Sequence, residues 1–513
     1  MGLARTIMVQ GTGSHVGKSV LVAALCRIFR QDGYSVAPFK AQNMALNSFV
    51  TRDGGEMGRS QVVQAQAAGT EPDVDMNPVL LKPTADTSSQ VIVHGRPVGN
   101  MSAFAYHLDY VNKVWPAIVE SFERLSRRYE IIVLEGAGGP AEVNLQERDV
   151  VNMRAARLAG APVLLAADID KGGALAAVVG TLELLRPEDR PLVKGTVINK
   201  FRGDKKLLQP ALDFLEEKTG VPVVGVVPYF TLQIPEEDTV NSELRPARPA
   251  GPAVEIAVLH LPHISNFTDF DPLEQEPDVH LRYVRPGEKI GRADLVIIPG
   301  SKNTIGDLVR LRQNGWDREI FSLAAAGVPV VGICGGYQML GKKVADPEKV
   351  ESARGEEEGL GLLDVTTVFR PEKTTWQAAG EVLPAEGLLA ASRGQAVTGY
   401  EIHMGESYRG PGAAPAFLLR RENGAGEQVL DGAVAANGLV FGTYLHGLFD
   451  ADEFRRTFLN QLRARKNLPP LPVQYSFCGS REWTFNELAR LVRENLDMDY
   501  VYRLLGLAPG GSG

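Results

Sequence analysis

The stretch TIMVQGTGSHVGKSVLVAALCRIF (Thr6–Phe29) runs a strand-length apolar segment into a glycine loop and then into an apolar helix. In the loop, Gly11-Thr-Gly-Ser-His-Val-Gly17-Lys18-Ser19, the glycines let the backbone fold so that its N–H groups point inward at an anion. The helix N-terminus adds its dipole, Lys18 brings a point charge to a β/γ-phosphate, and the Ser19 hydroxyl suits Mg²⁺. The strict pattern G-x-x-x-x-G-K-[ST] requires glycine at position 12, where Thr12 stands. The loop is therefore a variant, one residue longer from Gly11 to Gly17. Gly11, Thr12, Gly13, Val16, Gly17, Lys18 and Ser19 are the expected contacts to ATP, with Mg²⁺ on Ser19.

Outward from this loop, apolar runs recur at Ser35–Phe39, Ile131–Leu134, Val163–Ala167, Gly195–Asn199 and Val223–Val227. Each ends in a polar or turn residue and leads into a helix-like segment. That alternation predicts an α/β unit over 1–232, a doubly wound, mainly parallel sheet covered by helices. Glu135 closes one of these strands opposite the loop, where a Mg²⁺ ligand belongs. After the second strand, Gln42-Asn-Met-Ala-Leu-Asn47 faces the same loop, so Asn43, Asn47 and Glu56 are candidate contacts to a substrate. An ordinary polar surface loop is the bland alternative.

PEEDTVNSELRPARPAGP (235–252) then breaks the pattern with proline and charge, and 233–252 reads as a linker. Strand signals resume at Val254–Leu259, Asp294–Ile298 and Val328–Ile333, giving a second α/β unit over 253–455. The remainder, 456–513, has helical periodicity and is expected to pack as a helical appendage.

The second unit carries VPVVGICGGYQMLG (Val328–Gly341), a buried strand entering Gly332-x-Cys334-x-Gly336 ahead of a helix. Glycines on both sides permit the tight turn that exposes a nucleophile, and a helix N-terminus beneath the sulfur favours the reactive thiolate. Gly335 is placed to donate its N–H to a developing oxyanion, and a backbone N–H near Gly300–Ser301, with Gly300 named first, in Pro299-Gly-Ser-Lys-Asn-Thr304 after another strand, is the candidate for a second donor. A cysteine nucleophile needs a base. His446, just past a late strand, is the first candidate and His403 the competitor.

The bulk numbers set limits. At 513 residues, two or three cores are expected. The net charge of −8 argues against a nucleic-acid or anionic-membrane binder. Three scattered cysteines, Cys26, Cys334 and Cys478, suit neither a disulfide framework nor a zinc site, and a reducing cytoplasm is the expected location.

The variant loop, Lys40, Glu135-Gly-Ala-Gly-Gly139 and Asn199-Lys200 resemble the dethiobiotin-synthetase-like branch of P-loop enzymes. That resemblance places Lys40 at the phosphoryl site and Asn199 on the adenine. The motifs around Cys334 and His446 resemble the class I glutamine amidotransferases. Most of that class carry a glutamate two residues after the histidine, and this chain has Leu448. Either a dyad suffices or another group, such as Glu401, orients the ring. The cobyrinic-acid branch of the class shares this departure.

Across nearly its whole length the chain resembles the glutamine-hydrolysing cobyric acid synthase family of cobalamin biosynthesis. The segments that carry this are Phe39–Ser48, Gly55–Gln61, Asn77–Pro83, Ala167–Gly173, Gly399–Gly405 and Gly442–Gly447. The resemblance implies amidation of the b, d, e and g carboxylates of adenosylcobyrinic a,c-diamide, with L-glutamine as nitrogen donor and ATP as activator. Two rivals stand: the sister enzyme that amidates the a and c carboxylates, and a non-catalytic regulatory relative. The oligomeric state is open, a homo-oligomer included.

Overall fold

The computed structural model describes residues 3–508 apart from 86–87, 103, 105, 107–109, 233, 235–250, 252, 353 and 423–425. The linker read at 233–252 thus lies, except for Ile234 and Gly251, outside the described residues.

The first unit is built on six parallel strands: β1 (Arg5–Gly11), β2 (Val36–Phe39), β3 (Ile131–Glu135), β4 (Val163–Asp168), β5 (Val193–Phe201) and β6 (Val223–Pro228). Their order is β6-β5-β4-β1-β3-β2, with every pair parallel. The strands read as unbroken apolar runs because both faces are covered. Met8, Ile132, Leu134 and Leu165 enter one core; Ile7, Val9, Ile131, Val133 and Leu164 enter the other. The order reverses beside β1, which brings the glycine loop, the end of β3 and the end of β5 to one edge.

Alternation alone did not anticipate the insertion between β2 and β3. A four-stranded sheet of Gln42–Met44, Val79–Ala85, Ser88–Val93 and Arg96–Ser102 stands there, beside a hairpin of Ser48–Val50 and Glu56–Gly58. Within the four-stranded sheet, Ser88–Val93 and Arg96–Ser102 are joined by the two-residue turn His94-Gly95, both at positive φ (45° and 74°), as a tight hairpin with right-handed twist requires.

In the second unit, strands β7 (Val254–Leu259), β8 (Val279–Val284), β9 (Leu295–Ile298), β10 (Val330–Ile333) and β13 (Val440–Thr443) pair in parallel in the order β8-β7-β9-β10-β13. A second, mainly antiparallel sheet is built on two long strands, β11 (Val365–Val382) and β12 (Ala396–Arg409). Leu445–His446 pairs with the edge of β12, Tyr400 opposite His446, so the histidine's position is fixed by both sheets.

The stretch 456–513, expected as a single appendage, divides between the two units. The helix Asp452–Arg465 puts Phe454, Phe458, Leu459 and Leu462 into the second unit's core, and Arg455 and Arg456 reach buried Glu276 at 2.7 and 3.0 Å. The helix Phe477–Arg493 returns to the first unit: Phe485, Leu488, Ala489 and Val492 form an i, i+3, i+4, i+7 stripe against Val22, Leu25, Cys26 and Phe29. Periodicity identifies such a stripe but not the surface that buries it. Among the described residues no helix is long and apolar enough to cross a membrane.

Candidate active sites

At the first site the loop closes on itself through Lys18, whose Nζ donates to the carbonyls of Gly13 (2.8 Å) and Gly138 (3.1 Å). Gly17 sits at φ 97°, and a Cβ there would come to 2.1 Å of the Asn199 amide nitrogen, so only glycine fits. Glu135, 1% exposed, is the hub. Its Oε1 accepts from Ser19 Oγ (2.8 Å) and Lys40 Nζ (3.1 Å), and its Oε2 from the Gln61 and Gln64 amides. The Ser19 hydroxyl and the Glu135 carboxylate thus converge beside the loop, oxygen donors of the kind that hold a phosphate-bound Mg²⁺, with the Lys40 ammonium next to them. Asn199 donates to the Val16 carbonyl at 2.8 Å, and its Oδ1 is buried with no partner among the described residues. An oxygen so placed suits the exocyclic amine of an adenine.

The three polar residues expected near substrate have different fates. Asn43 is engaged internally, donating to Gln61 Oε1 at 2.9 Å and accepting from the Met44 amide. Asn47 is 1% exposed, and neither polar atom of its side chain has a partner among the described residues. Glu56 is fully buried between Lys82 (2.8 Å) and Lys373 of the second unit. Burial alone raises its pKa, but the two ammonium groups outweigh that and hold the carboxyl well below the usual carboxylate range. Burial in turn pushes Lys373 down to about 7.

The second site is built on a strained turn. Cys334 ends β10 at φ 49°, in the left-handed region, and the helix Gly335–Leu340 begins directly after it. A Cβ on Gly336 would approach the Ile298 carbonyl oxygen to 1.9 Å, and one on Gly335 the Ser301 nitrogen to 2.8 Å. Both positions must be glycine for the turn to pack on β9 and the Gly300–Ser301 segment. Ser301 opposes Ile264 in a two-residue antiparallel ladder, and the next bond outward runs from the Lys302 amide to the His263 carbonyl (2.9 Å). The alternation of such ladders makes Ile264–Ser301 a non-hydrogen-bonded pair, leaving the Ser301 N–H directed away from the ladder. Gly300, the other residue of the stretch read from sequence as the second donor, opposes Ser265, and a Cβ on it would lie 3.3 Å from His446 Cε1. Ser301 is thus the better-placed amide beside Gly335.

His446 is 1% exposed and shares the cavity of Cys334. Its Nδ1 lies 2.6 Å from Asp269 Oδ2, and the other oxygen of that carboxylate accepts from the Gly447 amide at 2.9 Å. Asp269 is the orienting group that sequence reading left open between a bare dyad and Glu401. Glu401 faces elsewhere: Arg421 holds it at 2.7 Å, with His403 Nε2 at 3.8 Å. Burial would lower the His446 pKa, but Asp269 and the neighbouring Cys334 outweigh it and raise the imidazole to about 10. His403 lines the same cavity, stacks on Tyr444 at 3.7 Å and spends Nδ1 on the Gly405 carbonyl. The signal for Asp269 was an acid in the loop after the second unit's first strand, but nothing local connects it to a residue 177 positions away.

The two sites meet through the first unit's inserted hairpin. The Ser48 carbonyl accepts from Asn266 Nδ2 (2.9 Å) and Tyr400 Oη (3.1 Å), and the Tyr400 ring stacks on His446. Lys82 of the first unit lines the Cys334 cavity directly.

This fold and these sites define a nucleotide-binding unit joined to a glutamine amidotransferase unit. Residues 7–238 match the CobQ/CobB/MinD/ParA nucleotide binding domain, and residues 255–454 match the CobB/CobQ-like glutamine amidotransferase domain. The chain is 58% identical to the cobyric acid synthase of Pelotomaculum thermopropionicum over 99% of this chain and 98% of that one. It is 55% identical to that of Moorella thermoacetica (98% of each chain) and 50% identical to that of Streptococcus sanguinis (98% and 99%). The chain belongs to the cobyric acid synthase family. It is an enzyme, an ATP-dependent amidoligase of cobalamin biosynthesis with its own glutamine amidotransferase domain.

Proposed function

We propose that the protein converts adenosylcobyrinic a,c-diamide to adenosylcobyric acid by amidating its b, d, e and g carboxylates with ammonia cut from glutamine at Cys334. The observation that carries this reading is the shared cavity: Cys334 and His446 face a space also lined by Lys82 of the nucleotide-binding unit. Glutaminase and synthetase chemistry are thus neighbours within one chain.

At the second site, the Cys334 sulfur attacks the glutamine carboxamide as thiolate while the Gly335 and Ser301 amides receive the developing oxyanion. The His446 imidazolium, oriented by Asp269, protonates the departing nitrogen, which leaves as NH₃. Neutral His446 then takes a proton from the water that hydrolyses the glutamyl thioester, and glutamate departs. Ammonia must cross unprotonated, since ammonium has no lone pair to attack with, and the enclosed cavity favours direct passage.

At the first site, a substrate carboxylate oxygen attacks the γ-phosphorus of ATP and yields an acyl phosphate and ADP. Phosphate is the leaving group a bare carboxylate lacks, and ammonia displaces it to form the amide. Backbone amides of Gly11–Ser19, with Lys18, hold the phosphates, Asn199 the adenine, and Lys40 stands at the phosphoryl group. Ser19 and Glu135 would hold Mg²⁺, which neutralises phosphate charge when bound. Asn47, whose polar side-chain atoms have no partner among the described residues, is the strongest of the three substrate candidates, since Asn43 is bonded to Gln61 and Glu56 to Lys82 and Lys373.

Mass spectrometry of products from adenosylcobyrinic a,c-diamide, ATP, Mg²⁺ and glutamine tests the assignment, with four amide exchanges expected. No mass change with this substrate, but two exchanges on cobyrinic acid, would assign the chain to the a,c-amidating sister activity. Lys18→Ala is expected to lower amide formation by about 10²- to 10³-fold from either nitrogen source, because it removes phosphate charge neutralisation. Loss with glutamine alone would contradict the site's role.

A further inference from the structure

The catalytic scheme leaves two buried charges in the Cys334 cavity without a task. Lys302, in the turn between Ser301 and Thr304, is 8% exposed, and among the described residues its ammonium has no hydrogen bond or ion pair. Burial lowers its pKa, opposed mainly by the field of Glu351, and Cys334 lies within the same field. Glu351 lines the same cavity and is held by the Thr304 amide at 2.8 Å. Burial pushes its carboxyl up to about 7 against the pull of Lys302. The two groups sense each other and line one cavity, yet they form no ion pair.

An ammonium stripped of water and left without a counter-ion is costly. Such a group persists where a ligand completes it. Glutamine presented to Cys334 by its side-chain amide carries a zwitterionic head two methylenes further on. Ile402, Met404 and Phe369 line the cavity between and suit those methylenes.

We infer that Lys302 receives the α-carboxylate of glutamine and Glu351 its α-ammonium, so that the pair selects the free amino acid over other primary amides. This rests on the reading of Cys334 as the glutaminase nucleophile. A filled site pairs each buried charge and leaves the cavity's net charge unaltered.

The test uses the full-length protein and three amides: L-glutamine, 4-aminobutanamide, which lacks the carboxylate, and 4-carbamoylbutanoate, which lacks the ammonium. Lys302→Gln is expected to raise KM for glutamine about 30-fold, with kcat changed less than about threefold, the size of a lost charge-assisted bond. The same variant should leave kcat/KM for 4-aminobutanamide unchanged. Glu351→Gln should impair glutamine but not 4-carbamoylbutanoate, and Lys302→Arg should recover part of the lost affinity. Thermal unfolding of Lys302→Gln at or above the wild-type temperature is expected, because an unpaired buried charge has gone.

An equal loss on glutamine and 4-aminobutanamide would overturn the proposal, since Lys302 would then act on the cysteine rather than on the head group. So would an unchanged KM for glutamine. Wild-type protein that hydrolyses no glutamine defeats the Cys334 reading itself and the head-group site with it. That outcome is distinct from an active wild type beside indifferent variants.

Discussion

Cys334→Ala will lower glutamine-driven synthesis by more than about 10⁴-fold and leave ammonia-driven synthesis within about twofold of wild type. The sulfur is the group that attacks glutamine in the scheme, so its loss removes the thioester route rather than weakening one contact. The first part is read by glutamate release, the second by amide formation at high ammonium concentration, where the rate should climb with pH as free ammonia grows. Alanine suits the test because the turn is held by its neighbours. Gly336 packs on the Ile298 carbonyl and Gly335 on Ser301, and alanine, like cysteine, places one Cβ on the φ 49° backbone of residue 334. Loss of both activities would show that the cysteine turn supports the interface with the first unit, and equal glutamine hydrolysis by both proteins would remove Cys334 from the chemistry.

The parts of this fold legible in the sequence are those written in local pattern. A parallel strand buried on both faces must be apolar throughout, so β1, β3, β4, β7 and β10 stand out from one window each. The glycine loop and the cysteine turn are legible for a related reason: close backbone approach excludes every side chain, leaving glycine at fixed offsets. β11 and β12 are harder to read, because one face is only partly covered and Arg370, Glu372 and Lys373 interrupt the alternation. The inserted sheet and hairpin left no local trace in the reading beyond the polar run at 42–47. Pairings between distant residues leave no local trace at all. Asp269 beneath His446, Lys373 on Glu56 and the return of Phe485–Val492 to the first unit each depend on which surfaces meet. Glu56 was therefore legible as a polar residue near the loop but not as a carboxylate held between two buried lysines.

Asp269→Asn tests the one catalytic partner that only the structure supplied, and it is expected to lower glutaminase kcat by about 10³- to 10⁴-fold with the cysteine still present. Asparagine matches the carboxylate in shape but carries no charge, and its amide group can turn a donor toward Nδ1. The ring would then present the wrong tautomer to Cys334, and no anion would stabilise the imidazolium. The His446 pKa, raised to about 10 with Asp269 in place, should fall below its ordinary 6.5, because burial is then opposed only by Cys334. NMR titration of the imidazole reads this directly. Stability should follow by linkage. A pKa raised on folding contributes stability that is complete below pH 6.5 and is lost as pH rises toward about 10. Wild-type stability should therefore fall across that window, and the variant, whose imidazole is neutral there, should lose the dependence. Glu401→Gln provides the contrast. It breaks the buried contact with Arg421 and should lower the melting temperature, yet leave the His446 titration unmoved. A Glu401 variant that shifts the imidazole pKa as far as Asp269→Asn would return the orienting role to Glu401.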